Sequence, residues 1–306
     1  MANGVIDPLY LPFSEQDLLQ HFILKTEPGR YASYYVKSAE RYARLRDRCR
    51  QGLSVTDMKH DCQIEKDERF WIAGCLLRYY HRPGRVAAIS ALLTRCFGPV
   101  PPVPGLTSWG ECLSEDEDNL LYFEVNVPAP EEYVAWLKKH VGERQIVPYI
   151  LDAARSAGGE YRGDLEGPTH VDAVLLNRAT GFAVFFEAKV LSDISVGVTF
   201  DPLRNQLARI VDVMLEPNER MGVPLSYRDP RRTLLVLVTP ELFRRAPHAR
   251  LYGWLMQEYR SSPSALARDL PHRKDVDFAE VSRRLGWVTW EECNKVLPGA
   301  CPWLRC

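Results

Sequence analysis

The sequence predicts an α/β fold: a mixed sheet flanked by helices, preceded by an N-terminal helical region. Three observations carry that prediction. From about residue 131 the apolar pattern runs helix, two strands, helix, strand, helix. Two strand-like runs, HVDAVLLN (170–177) and FAVFFEAKV (182–190), are separated by four turn-forming residues, 178–181. A continuous apolar run, TLLVLVT (233–239), reads as a buried strand.

The elements follow in order. Ser14, Glu15, Gln16 and Asp17 resemble a capping box and open the amphipathic run LLQHFIL. Further helices are expected at about 37–50, 64–80 and 85–96. Proline then clusters in GPVPPVPG (98–105), where fixed φ and missing donors break regular structure. Acidic SEDED follows, then NLLYFEVNV (119–127), a strand. The next helix begins near Pro130 with Val134, Leu137, Val141, Ile146, Ile150 and Leu151 on its apolar side; Pro148 divides or kinks it, and Gly158 and Gly159 end it. After the strand pair, Asp201 and Pro202 look like an N-cap and N1 proline, with Leu203, Leu207, Ile210, Val211 and Met214 at helical spacing. Near the C-terminus, Thr289 to Glu292 form a second capping-box pattern. The tight turn before it admits a helix-turn-helix, although packing of Trp287 and Trp290 explains it better. These signals divide the chain into a helical region (1–97), a Pro-rich and acidic connection (98–130) and an α/β domain with C-terminal helices (131–306).

Composition bounds the function classes. The chain has 306 residues, 39 Lys plus Arg, 40 Asp plus Glu and 46% hydrophobic residues, which excludes a disordered, collagenous or mostly transmembrane protein. Eight cysteines form no C-x-x-C pair, so they read as buried or idle thiols in a reducing compartment. The opening residues show no basic segment followed by an apolar one, and no run reaches the roughly 20 apolar residues of a membrane span; a cytoplasmic protein is expected.

Chemistry concentrates in the two adjacent strands. If 178–181 closes an antiparallel hairpin, Asp172 falls opposite Glu187 and His170 opposite Lys189. Side chains two apart share a face, so His170, Asp172, Glu187 and Lys189 converge, while Val171, Ala173, Leu175, Phe186 and Ala188 point away. Two facing carboxylates destabilise a sheet unless a cation neutralises them, and hard oxygens suit Mg²⁺ or Mn²⁺. A lysine beside that cation can orient water or stabilise charge on a phosphate, as phosphodiester hydrolysis requires.

Asp172, fourteen intervening residues and then Glu187, Ala188 and Lys189 at the end of an apolar strand resemble the PD-(D/E)XK nuclease superfamily, the restriction-endonuclease-like fold. The resemblance covers roughly a third of the chain; Pro168 stands four residues before Asp172 rather than next to it. It implies a restriction-endonuclease-like core and metal-dependent cleavage of nucleic acid, most naturally DNA. It implies Asp172, Glu187 and the Ala188 carbonyl as metal ligands, Lys189 as the catalytic lysine and Gln206 as an accessory glutamine. Glu143 is the candidate for an accessory acid on the first core helix. Cutting both strands would call for a homodimer. The alternative is a catalytically silent nucleic-acid-binding or scaffolding protein on the same fold.

Further contacts are expected around this centre. His170, Ser192, Arg204, Asn205 and Arg209 are candidate phosphate or nucleic-acid contacts. Residues 30–50 hold seven basic and two acidic residues interleaved with Tyr31, Tyr34, Tyr35 and Tyr42, a mixture suited to phosphate contact and base stacking, or to a helix with its tyrosines packed inward. The near-zero net charge conceals an acidic stretch around the candidate ligands, with basic groups concentrated on either side.

Overall fold

The computed structural model describes residues 5–54, 64–198, 200–217 and 221–305. Its N-terminal part is helical, as expected: α1 (Glu15–Leu19), α2 (Pro28–Arg50), α3 (Glu68–Tyr80) and α4 (Arg85–Phe97), then the short α5 (Trp109–Cys112). The Ser14 and Asp17 capping box forms. α2 starts nine residues earlier than the sequence suggested, because Pro28 at N1 supplies a helix start that the tyrosines after it conceal.

Strand β1 (Asn119–Val127) is followed by α6 (Glu131–Arg144) and α7 (Pro148–Ala153). The helix expected there is divided at Pro148, which opens α7; Ile146, between the two, is 87% exposed rather than on an apolar face, and α7 ends at Ala153, before Gly158 and Gly159. Next come β2 (Thr169–Asn177), β3 (Ala183–Ala188), and a small pair, β4 (Val196–Val198) and β5 (Asp201–Asn205). Helix α8 (Gln206–Leu215) and strand β6 (Thr233–Thr239) follow, then α9 (Glu241–Arg245), α10 (Leu251–Ser261), α11 (Pro263–Asp269) and α12 (Phe278–Arg283). Strand β7 (Leu285–Thr289) and α13 (Trp290–Val296) come next, and a short 3-10 turn, Pro302–Arg305, is last among the described residues.

The main sheet has five strands in the order β1-β2-β3-β6-β7. β1, β2 and β3 are antiparallel neighbours, whereas β3, β6 and β7 run parallel. The hairpin register is the one expected: Ala173 pairs with Phe186 and Leu176 with Ala183, which sets Asp172 level with Glu187.

Two apolar layers sandwich the sheet. One joins N-terminal residues such as Phe22, Phe70, Leu77 and Leu93 to Phe123, Leu175, Phe186 and Val236. The other packs α8 and α10, through Leu207, Val211, Leu255 and Met256, onto Val174, Phe185 and Leu237. The helical region 1–97 therefore covers one face of the sheet. The connection drawn at 98–130 is also corrected, since β1 within it is an edge strand of the same sheet, recruited by the apolar Leu121, Phe123 and Val125.

The C-terminal turn is not a helix-turn-helix. Leu285–Thr289 is strand β7, parallel to β6, and Trp287 donates its indole N–H to Thr239 Oγ1 at 2.9 Å. Five residues without polar alternation gave no strand period to read. The Thr289–Glu292 capping box does form and opens α13. The six described cysteines are free thiols, five of them buried; Cys62 and Cys306 lie outside the described residues. Among the described residues no helix is long and apolar enough to cross a membrane.

Candidate functional site

The β2–β3 ladder stops at the Ala173–Phe186 pair, and beyond it the two strands give up backbone pairing for a side-chain contact. The Ala188 N–H donates to Asp172 Oδ2 at 2.8 Å. Glu187, buried in β3, receives Lys189 Nζ at 2.7 Å and Gln206 Nε2 at 2.7 Å, both on Oε1. Gln206 can reach because it is the first residue of α8, and Asn205 caps that helix by accepting from the Ala208 N–H. Lys189 is held at its backbone on two sides: its N–H donates to the Val238 carbonyl, and its own carbonyl accepts from the Trp290 indole at 3.0 Å.

These groups open onto a cleft of about 560 Å³. The sheet and α8 contribute His170, Asp172, Glu187, Ala188, Lys189 and Gln206, all anticipated from the sequence. The other wall consists of Tyr34, Lys66, Asp67, Glu68 and Arg69, and Glu124 joins the lining from β1 of the sheet. Glu68 Oε1, at the first position of α3, accepts from the Val190 N–H (3.2 Å) and Ser192 Oγ (2.5 Å). Glu124 Oε2 lies 3.0 Å from His170 Nε2, whose Nδ1 is 3.9 Å from Asp172 Oδ1.

Glu124 has φ +57°, in the left-handed region that a side chain with a Cβ rarely occupies. It sits between the Phe123–Ala173 and Val125–Val171 pairs, level with Asp172. Leu121 and Phe123 pack into one apolar layer and Val125 and Val127 into the other, so β1 falls out of step at this residue. β2 does the same at Asp172: Val171 packs with the second layer, Ala173 and Leu175 with the first, which corrects the single face predicted for them. Strain of this kind persists only where its surroundings enforce it, and it clusters at functional sites.

The electrostatics are those of an unneutralised acid pair. Burial raises the Glu187 carboxyl to about 8, reinforced by Asp172 and opposed by Lys189. Burial also raises Asp172, to about 6, against the pull of Lys189 and the Ala188 N–H. For Lys189 burial works against the ammonium, but Glu187 and Asp172 outweigh it, and its pKa is raised. It is therefore a cation at neutral pH. Glu187 Oε2 is buried and has no hydrogen-bond partner. An unsatisfied buried carboxylate oxygen is costly, and a hard cation is the kind of partner it lacks. Among the described residues no three His, Cys, Asp or Glu side chains group to hold a metal. A cation here could draw on Asp172, Glu187 and the Ala188 carbonyl, with water and substrate oxygens completing its shell, a ligand balance that Mg²⁺ tolerates well.

Several expected contacts are placed elsewhere. Asp201 does not cap a helix: it is buried in β5, where Arg144 binds it at 3.0 Å and Tyr133 at 2.9 Å. The helix starts five residues later, so Arg204 and Asn205 are inside the protein. Arg204, 1% exposed, grips Glu166 through two bonds and Asp212 through a third. Asn205 caps α8 and also donates to Tyr259. Arg209 lies 2.8 Å from Glu166 and reaches the Gly167 and Pro168 carbonyls. Neither Arg204 nor Asn205 can contact a nucleic acid, and Arg209 is occupied by its own chain. Ser192 is exposed and bonded to Glu68, beyond the residues that line the cleft. Glu143 is exposed on α6 and takes no part in the cleft, because α6 packs on its own small core of Tyr133, Leu137 and Val141. Glu68 and Glu124 supply the additional acids instead.

Sequence reasoning missed Glu68, Glu124, Arg69 and Trp290. The first three lie well before Asp172 in the chain, Glu124 by 48 residues and Glu68 and Arg69 by more than 100, where no local pattern marks them. Trp290 was assigned to packing, and its indole N–H is what gives it a second role. No family model matches the chain, and neither a curated protein nor a solved structure matches it.

Proposed function

We propose that the protein is a metal-dependent nuclease with a restriction-endonuclease-like core of the PD-(D/E)XK type, acting on DNA. One observation carries this reading: a buried Glu187 bound on Oε1 by Lys189 and Gln206, with Oε2 left unpartnered beside Asp172. The strand arrangement supports it, since an antiparallel β1-β2-β3 sheet continues in parallel through the crossover α8 to β6.

In this reading Asp172, Glu187 and the Ala188 carbonyl hold Mg²⁺ or Mn²⁺. The cation, when bound, supplies Lewis-acid stabilisation of charge on the phosphate. Lys189 works as an ammonium, donating to the water or to a phosphate oxygen, because its acidic neighbours keep it protonated. Gln206 fixes the Glu187 carboxylate, and Trp290 with Val238 fixes the Lys189 backbone, so both groups are oriented before substrate arrives. His170 and Glu124 border Asp172 and form a hydrogen-bonded pair at the edge of the cleft.

The test is cleavage of single- and double-stranded DNA and RNA with Mg²⁺, Mn²⁺ or EDTA. Metal-dependent cleavage that falls steeply in Lys189→Ala is the expected result. If wild type and Lys189→Ala behave alike on every substrate, the catalytic claim is lost; salt-dependent binding with no metal-dependent cleavage would instead identify a non-catalytic binder on this fold.

A further inference from the structure

We propose that the cleft takes an unpaired strand, with one base turned into a tyrosine-lined side cavity and the following phosphates running along α2; this rests on the nuclease reading above. The side cavity, about 280 Å³, is lined by Arg30, Tyr31, Tyr34, Tyr35, Arg69 and Glu124. It shares Tyr34, Arg69 and Glu124 with the main cleft, so the two form one continuous surface. Arg69 stacks over the Tyr34 ring at 4.5 Å, and Tyr34 remains 39% exposed. Aromatic rings and guanidinium planes bind bases through their π-faces, whatever the base. A base held in a duplex stays stacked on its neighbours and cannot enter such a cavity without being unpaired.

From this cavity a basic ridge departs. Arg30, Tyr34, Lys37, Arg41, Arg44 and Arg48 follow one another at alternating intervals of four and three along α2. That spacing puts all six on one face. Lys37, Arg41 and Arg44 are exposed, and the Arg30 side chain is 82% exposed. The two acids of α2, Glu40 and Asp47, project about 90° to one side of the ridge. The ridge spans about 27 Å, from eighteen residues at roughly 1.5 Å each. Its head is the cavity that borders the acidic centre, so one strand can lie on the cations while its phosphate reaches Lys189. Neutralising successive phosphates is what such a row of cations does best.

Binding is read by fluorescence anisotropy in EDTA, with a labelled oligonucleotide either single-stranded or annealed to its complement. Three results are expected. The single strand binds at least about tenfold more tightly than the duplex, the gain from base stacking. Lys37→Gln/Arg44→Gln weakens single-strand binding by roughly tenfold and flattens the log Kd against log salt slope by about 1.4, two phosphates at about 0.7 each. Tyr34→Ala removes most of the single-strand preference while Tyr34→Phe retains it; both lose the hydroxyl contacts to Asp67 and Arg69, so their difference reports the ring. Circular dichroism melting confirms that each variant is folded. Unchanged affinity and slope in the double variant, or tighter binding of the duplex, overturns the proposal. The two readings fail separately: cleavage by wild type with unaltered binding in the variants keeps the nuclease and removes the track. The expected binding pattern without any cleavage keeps the track and removes the nuclease.

Discussion

Two buried ionic clusters flank the second apolar layer, and they are balanced in opposite ways. Around Asp212, Arg204 (2.7 Å), Arg273 (2.8 Å) and His272 (2.9 Å) converge on one carboxylate, while Arg204 and Arg209 also hold Glu166. Burial alone would raise Asp212, but His272, Arg204 and Arg273 more than offset it and hold its pKa well below the usual carboxylate range. At the cleft, Asp172 and Glu187 share a single lysine, and both carboxyls are raised. The Asp212 cluster is closed in charge: cations of the chain itself match its carboxylates, although Arg204 Nη1 and His272 Nδ1 are buried without a hydrogen-bond partner. The Glu187 cluster is short of positive charge and open to a cleft, and the missing charge must come from outside or from protons. A buried ion pair is thus weak evidence for function, whereas an unbalanced one bordering a cavity is a candidate site.

The sharpest way to break this contrast is to remove one partner from each cluster. Arg204→Ala leaves Glu166 and Asp212 buried with less countercharge and is expected to cost about 3–5 kcal/mol in denaturant unfolding. Glu187→Gln should leave the metal-free protein as stable as wild type or more so, while cleavage disappears. Equal losses of stability in the two variants would erase the distinction. Lys189→Ala is expected to lower cleavage by roughly 10²–10³-fold, the scale of one lost donor to a developing charge, about 2.7–4 kcal/mol.

Saturating Mg²⁺ should raise the melting temperature of wild type, by about 2.7 kcal/mol of stability at a hundred times its Kd, and should leave Glu187→Gln unmoved. An equal shift in both proteins would place the cation elsewhere.

The pH response should also split. Raised carboxyls bind more protons in the folded than in the unfolded state. Glu187 and Asp172 therefore stabilise the metal-free protein below their ordinary range, and that contribution fades as pH rises through about 6 and about 8. Asp212 is lowered, so its contribution is present above the ordinary range and fades as pH falls below it. Melting measured in EDTA from pH 3 to 9 should fall at both ends, with Glu187→Gln flattening the alkaline side alone. The smallest expected effect is at Glu124. Glu124→Gly relieves a left-handed residue worth about 1–3 kcal/mol of strain, so its stability should rise or hold while the His170 contact is lost. A clear fall in stability would show that the carboxylate outweighs the strain.

Much of the site was legible because its chemistry lies on adjacent segments. A four-residue turn fixes the hairpin register, and the register alone sets Asp172 against Glu187. Lys189 and Gln206 then follow from proximity along the chain. What could not be read was decided by tertiary competition. Asp201 and Pro202 carry a sound helix-start pattern, but Arg144 and Tyr133 claim Asp201 for β5, and Asn205 caps the helix instead. Glu68 reaches Val190 across 122 residues, and no periodicity in a single sequence encodes such a contact. The separation of 1–97 from the rest failed for a related reason. Its helices carry an amphipathic pattern that says they bury a face, but not that the face belongs to the sheet.

The indole of Trp290 gives the molecule a built-in optical gauge. It is fully buried, lies edge-on to Trp71 at 5.4 Å and is tethered by its N–H to the carbonyl of Lys189. Anything that displaces that lysine's backbone changes the polarity and hydrogen bonding felt by the ring. Occupancy of the cleft can thus be followed as a change in emission that Trp290→Phe abolishes, in real time and without a label on either partner.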